Sequence, residues 1–251
     1  MAFPVEIKVN IDASRADVVD FLAQQPTIGS TRQVWFAEER AGVERGQLPL
    51  LENHVIVRLR IGGGVDDVTV KLRPCAEQQL VGRWMAPFET KSFGYRIETE
   101  WSGQQRGLAA SAVSERAQGS LLVVVGAYAD PAEAITIKQR QFLNQCAPPD
   151  VRIDRLVALG PIDSTRWTNV SFGGLKINVE SWTAADLETV ELSIQLTPSH
   201  DESPVEFESR VAAELRRLQA AACDLGLAID SRSDTKTQRV LASLARIPLH
   251  R

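Results

Sequence analysis

The sequence predicts an α+β protein: a closed antiparallel β-barrel, a tunnel with a charged lumen, flanked by helices. Three observations predict it. Short segments in which apolar and polar residues strictly alternate recur along the chain. At least five of them carry charge on the polar face, and helix-period segments with capping signals follow the last of them. Antiparallel sheets commonly wet one face, but here some polar faces hold mainly cations and others mainly carboxylates. Strands of this design that close on themselves turn their apolar faces outward under helices and their charged faces inward.

The first segment, PVEIKVNID, places Val5, Ile7, Val9 and Ile11 on one face and Glu6, Lys8 and Asn10 on the other, which predicts a strand. ASRADVVDFLAQQ follows, with Ser14 as N-cap, Asp17 three residues on and helical apolar spacing up to Pro26. QVWFAEER and HVIVRLRI are strand-like. Glycines 62 to 64 with Asp66 and Asp67 mark a turn into VTVKLR. In that hairpin Val57, Leu59 and Ile61 share a side with Val68, Val70 and Leu72, so Arg58, Arg60, Lys71 and Arg73 share the other. A turn centred near Gly64 and Val65 sets Arg58 opposite Lys71. Like charges facing each other across a ladder destabilise it by up to about 1 kcal/mol, so something negative is expected to offset them. The glycines are followed by neither a Lys-Ser/Thr pair nor a helix, which favours a hairpin turn over a phosphate loop.

KSFGYRIETEWSG alternates again, with Arg96, Glu98 and Glu100 opposite Tyr95, Ile97, Thr99 and Trp101. LLVVVGAYA at 121 to 129 is too short to span a bilayer and is expected to be a buried element. DPAEAITIKQRQFLNQC predicts a helix capped by Asp130 with Pro131 at its first position. After APPD, strands return in GLKINVESW and TVELSIQL. Lys176, Asn178 and Glu180 share one face of the former, and Glu191, Ser193 and Gln195 one face of the latter. A long helix then starts at the capping box of Ser203 and Glu206, with Pro204 between them, and stops at Gly226. SDTKTQRVLASLAR predicts a second, shorter helix ending before Pro248.

At 251 residues the chain can bury one sizeable core, and no composition shift argues for a second domain. A net charge of −4 excludes general nucleic-acid binding, so any anion site is local. Cys75, Cys146 and Cys223 suit neither a disulfide framework nor a CxxC metal site. With no signal peptide at the N-terminus, this predicts a cytoplasmic protein that does not engage a membrane. His54, His200 and His250 do not cluster and are expected at the surface. Trp35, Trp84, Trp101, Trp167 and Trp182 are expected to pack under the helices. The charged face of the long helix is open to a homodimer contact, though nothing selects one.

Arg and Lys arrayed around a cavity suit phosphate oxygens, Arg as a bidentate fork and Lys as a point charge. Carboxylates nearby suit a hard divalent cation, Mg²⁺ or Mn²⁺, bridging to the same phosphates. Together they imply a polyphosphate bound with a metal.

These residues resemble the CYTH, or triphosphate tunnel metalloenzyme, superfamily over nearly the whole chain, read as a single domain over residues 1–251. That family opens with an ExExK strand; PVEIK retains Glu6 and Lys8 but has Pro4 at the first glutamate. VRLRIGGGVDDVTVKLR is similar to its paired-basic strand and Thr-x-Lys strand. RIETE is similar to its central acidic strand, and Arg166 in DSTRW to the basic residue before the final strands. INVESW and VELS resemble its closing acidic strands and supply Glu180 and Glu191, with Ser193 replacing a carboxylate. Lys236 lies in a C-terminal helical stretch typical of the family.

The resemblance implies either of two functions. One is a hydrolase: a triphosphatase, dependent on magnesium or manganese, acting on inorganic triphosphate, a nucleoside triphosphate or another phosphorylated small molecule. Lys8, Lys71, Glu98 and Glu100 would then be catalytic. Lys8, Arg58, Arg60, Lys71, Arg73, Arg96 and Arg166 would hold the substrate, and Glu6, Glu180 and Glu191 the metal. The other is a phosphate-, polyphosphate- or nucleotide-binding module that retains the cations and, lacking carboxylates at Pro4 and Ser193, does not turn its ligand over.

Overall fold

The alternating segments become strands and the capped ones helices in a computed structural model, which describes residues 2–12, 18, 21–22, 28–103, 105–126, 128–185, 187–232 and 234–246. In chain order the strands are β1 (Val5–Ile11), β2 (Ser30–Glu39), β3 (Val55–Ile61), β4 (Asp66–Cys75), β5 (Phe88–Thr90), β6 (Phe93–Ser102), β7 (Gln105–Arg116), β8 (Leu156–Phe172), β9 (Leu175–Ala184) and β10 (Leu187–Leu196). The helices are α1 (Arg40–Glu44), α2 (Pro49–Glu52), α3 (Ile137–Cys146), α4 (Pro204–Asp224) and α5 (Lys236–Ala245). None among the described residues is long and apolar enough to cross a membrane.

The strands form one sheet in the order β1-β10-β9-β8-β2-β3-β4-β7-β6-β5. β1 also pairs with β6, Val5 to Lys8 against Thr99 to Ser102, and this closes nine strands into a barrel with β5 as an extra strand. That closing pair is parallel, so the barrel is mixed where the alternation alone suggested an antiparallel one. The chain forms two compact units. The first comprises Met1–Thr31, Glu98–Gly107 and Ser164–Lys236, and the second Arg32–Ile97, Leu108–Asp163 and Thr237–Arg251.

In the first unit the apolar faces of β1, β9 and β10 bury Ile7, Val9, Ile177, Val179, Val190 and Leu192. Helix α4 covers them with Phe207, Val211, Leu218 and Ala222, a spacing that keeps one face of a helix toward the core. Its capping box forms as predicted: Ser203 Oγ accepts from the Glu206 N–H at 3.3 Å, and Glu206 Oε2 accepts from the Ser203 N–H at 2.9 Å. The helix predicted from Ser14 to Pro26, with Asp17 in its first turn, lies outside the described residues except for Val18, Phe21 and Leu22, which join this core.

In the second unit the register of the β3–β4 hairpin differs from the expected one. Gly62, Gly63 and Gly64 all take positive φ, so the reversal is complete before Asp66, which is already a strand residue. Its buried carboxylate accepts from the Gly62 N–H at 3.2 Å and the Leu121 N–H at 3.3 Å. Arg58 consequently faces Thr69 rather than Lys71, and Arg60 faces Asp67. The core beside this hairpin is aromatic: Trp84, Phe88, Tyr95 and Phe142 lie 5.1 to 5.5 Å apart by ring centroids. Gln139, fully buried on α3, donates to the carbonyls of Val68 at 2.8 Å and Ala112 at 2.9 Å, tying the helix to two strands.

Two further expectations change here. The 130–146 segment is not one helix. Asp130 caps a short 3₁₀ turn at Pro131–Ala134, and α3 starts afresh behind its own cap, Thr136. Residues 121–129 are not a buried element, since Leu122, Val123 and Tyr128 are exposed and Leu121 and Val124 alone are buried among the large side chains. Strands β7 and β8 had no counterpart in the alternation. His54 and His200 are exposed as expected, whereas His250 and Pro248 lie outside the described residues.

Glu38 ends β2 with its side chain 1% exposed, accepting N–H bonds from Leu50 and Leu51, both at 2.9 Å, at the start of α2. Burial outweighs these bonds and pushes its carboxyl up to about 7 from 4.5. The folded state therefore binds this proton more tightly than the unfolded chain. The associated stability is fully present below about pH 4.5 and is lost as pH rises to about 7. Relative to Glu38→Gln, the wild-type chain should lose about 3 kcal/mol across that window. Urea unfolding of both proteins at pH 4.5 and 8 measures it, and parallel pH profiles would contradict it.

Candidate functional site

In the first unit, alternation along β1 lifts Glu6 and Lys8 away from the core face of Val5, Ile7 and Val9. Parallel pairing with β6 sets Glu6 beside Glu100. Lys8 Nζ lies 2.8 Å from Glu6 and 3.0 Å from Glu100, with Lys8 and Glu100 largely buried. Glu98 projects on the same face of β6, and one carboxylate oxygen from each of Glu6, Glu98 and Glu100 lies within 4.8 Å of the other two. Three carboxylates gathered so closely repel one another, and the Lys8 ammonium offsets one of those charges. Pro4 contributes its carbonyl, which accepts from the Thr99 N–H at 2.8 Å, and no side-chain ligand. Ser193, directly opposite Lys8, is buried.

Further along the same strands, Glu191 faces Asn10 on one side and Glu180 on the other. Lys236 Nζ joins the two carboxylates at 2.7 Å from Glu180 and 3.3 Å from Glu191, and Ser164 Oγ donates to Glu180 at 3.2 Å. The same ammonium lies 4.0 Å from the ring centroid of Trp182. Trp182 thus shares the polar face with Glu180 and meets there the ammonium of the first residue of α5. Arg166, on β8, is exposed.

The second unit carries the basic residues of β3 and β4. Arg60 Nε donates to both oxygens of Asp67, at 3.0 and 2.8 Å, and Thr69 Oγ1 donates to Asp67 at 3.2 Å. Arg32 of β2 approaches the same carboxylate at 3.7 Å. Asp67, a residue the sequence placed in the turn, thus supplies negative charge to Arg60 and Arg32. Arg58 sits between Phe36 and Thr69, and Lys71 between Ile56 and Ser111, both half-buried. Arg73 is half-buried at the end of the row, its N–H bonded to the His54 carbonyl at 2.8 Å, while Arg96 on β6 is exposed.

No family model matches the sequence, and no curated protein matches it. Solved structures do. A protein from Hippeastrum, reported as an adenylyl cyclase with a dominant triphosphatase activity, superposes with a TM-score of 0.57 at 14% identity over 95% of each chain. A protein from Bacillus halodurans, assigned as an adenylate cyclase, gives 0.53 at 12% identity over 95% of this chain and 98% of that one. The fold is CYTH-like. Within the CYTH-like barrel, β1 supplies Glu6 and Lys8, β6 supplies Glu98 and Glu100, and β9 and β10 supply Glu180 and Glu191. Asp67, Trp182 and the Lys236 ion pairs are the features that residue patterns did not reveal. The signal available for Asp67 was its place on the same strand face as Thr69 and Lys71.

Proposed function

We propose that this protein binds a triphosphate-bearing small molecule together with a divalent cation, Mg²⁺ or Mn²⁺, and hydrolyses it. The observation that carries the reading is the cluster of Glu6, Glu98 and Glu100 around Lys8. Its donors fit such an ion: hard carboxylate oxygens, close together. When bound, the cation would withdraw charge from the phosphoryl oxygens during attack by water. The charged strand faces line the barrel interior in this reading.

Lys8 would hold an oxygen of the phosphoryl group under attack, and Glu98 or Glu100 would orient the water and take its proton. Arg58, Arg60, Lys71 and Arg73, with Arg96 and Arg166 at exposed positions, would grip the remaining phosphate oxygens. Lys71 would also stabilise charge developing on the group transferred. No covalent nucleophile is needed. The Hippeastrum protein's triphosphatase activity supports this choice of substrate class. The three free cysteines support a reducing, cytoplasmic setting.

A second reading, a binding module without turnover, is favoured by the missing carboxylates at Pro4 and Ser193. Phosphate release from tripolyphosphate and ATP with Mg²⁺ or Mn²⁺ separates the two. The wild type should release phosphate, and Lys71→Ala and Glu6→Ala should lose most of that activity. Tight binding with no turnover would select the second reading, and no binding of either compound would exclude both.

A further inference from the structure

Lys236 is the first residue of α5, yet its side chain is 5% exposed and its ammonium is committed to two carboxylates and a ring. Glu180 and Glu191 stand directly opposite each other in the β9–β10 ladder. Two carboxylates in that arrangement destabilise the pairing unless a cation lies between them. A buried lysine, in turn, stays charged only where anions and hydrogen bonds repay its lost hydration.

The surroundings extend this oxygen-rich face. Asn10 faces Glu191 across β1 and β10, and Thr189 faces Trp182 across β10 and β9. Asn10 Oδ1 and Thr189 Oγ1 are both buried with no hydrogen-bond partner, and Thr189 is 3% exposed. Carboxylate, amide and hydroxyl oxygens of this kind are the ligands of hard divalent cations.

We infer that the Lys236 ammonium is the resident cation of an oxygen-lined site formed by Glu180, Glu191, Asn10 and Thr189, and that it keeps divalent ions out. Divalent binding is then confined to Glu6, Glu98 and Glu100. This last clause rests on the proposed function, whereas the exclusion by Lys236 does not.

Titration of the full-length protein with Mn²⁺, with free ion followed by electron paramagnetic resonance, tests the inference without any turnover. The wild type should bind a single ion, and Glu98→Gln should bind it more weakly. Lys236→Met should gain a second ion, and Lys236→Arg should not. Adding Glu180→Gln and Glu191→Gln to Lys236→Met should remove the second ion alone. An unchanged stoichiometry in folded Lys236→Met, or two ions in the wild type, would overturn the inference.

If Lys236→Met does not fold, the Glu191→Gln variant decides. It should hold Mn²⁺ within about threefold of the wild type, and a loss of about tenfold or more would place the ion at Glu191 instead. A wild type that binds no Mn²⁺ beside a Lys236→Met that binds one sinks the proposed function while leaving the role of Lys236 standing.

Discussion

Glu98→Gln is expected to lower Mg²⁺- or Mn²⁺-dependent phosphate release from tripolyphosphate by about 10²-fold or more. A divalent ion stabilises transition-state charge by several kcal/mol, and each 1.36 kcal/mol is a factor of ten in rate. Losing one of three carboxylates forfeits part of that stabilisation, and about two decades is a moderate share. Glu98 is half-buried, whereas Glu100 is 6% exposed and is a partner of Lys8. Glu100→Gln should therefore cost both activity and stability, since it leaves a largely buried ammonium with one fewer anion. Initial rates and Mn²⁺ affinity measured on both variants check this. Unchanged rates in Glu98→Gln would remove the acidic cluster from the reaction.

The cluster also accounts for how a barrel of this kind tolerates Pro4. A proline just before the first residue of a strand loses only a donor, and here its carbonyl still accepts from Thr99. Whatever a carboxylate at that position would add, Glu6, Glu98 and Glu100 are already within 4.8 Å of one another without it.

Much of the fold could be read wherever one strand face is buried and the other polar. β1, β3, β6, β9 and β10 show that alternation, and α4 announces itself by its cap. β7 escaped because Ala109, Ala110, Ser111, Ala112 and Ser114 are buried on both faces, so small residues replace any apolar-polar period. β8 escaped because Gly160 and Pro161 sit inside it, and both ordinarily mark strand ends. The site divides in the same way. Its charged residues were legible one by one, but their partners were not. Asp67 belongs by residue type to a turn and by register to Arg60, and a two-residue change in the hairpin register decides between them. Lys236 meets Glu180 across 56 positions, a separation no local pattern spans.

Trp84→Ala is expected to destabilise the fold by about 3–5 kcal/mol, the range for deleting a fully buried aromatic side chain. Its ring is fully buried in a short 3₁₀ turn, Gly82–Met85, whose backbone hydrogen bonding alone is too slight to fix it. Three aromatic neighbours define its place, Phe88, Tyr95 and Phe142, and Nε1 donates to Gln145 on α3 at 2.7 Å. Tyr95 returns a bond to the Trp84 carbonyl at 2.7 Å. Removing the indole opens a cavity under α3 and leaves Gln145 without that partner, so the helix and the turn should loosen together. Trp84→Phe keeps most of the volume and loses the N–H donor, which should cost roughly 1–2 kcal/mol. Urea unfolding of the three proteins orders them. If Trp84→Phe proves as damaging as Trp84→Ala, the hydrogen bond to Gln145, and not the packing, is what holds this corner of the barrel.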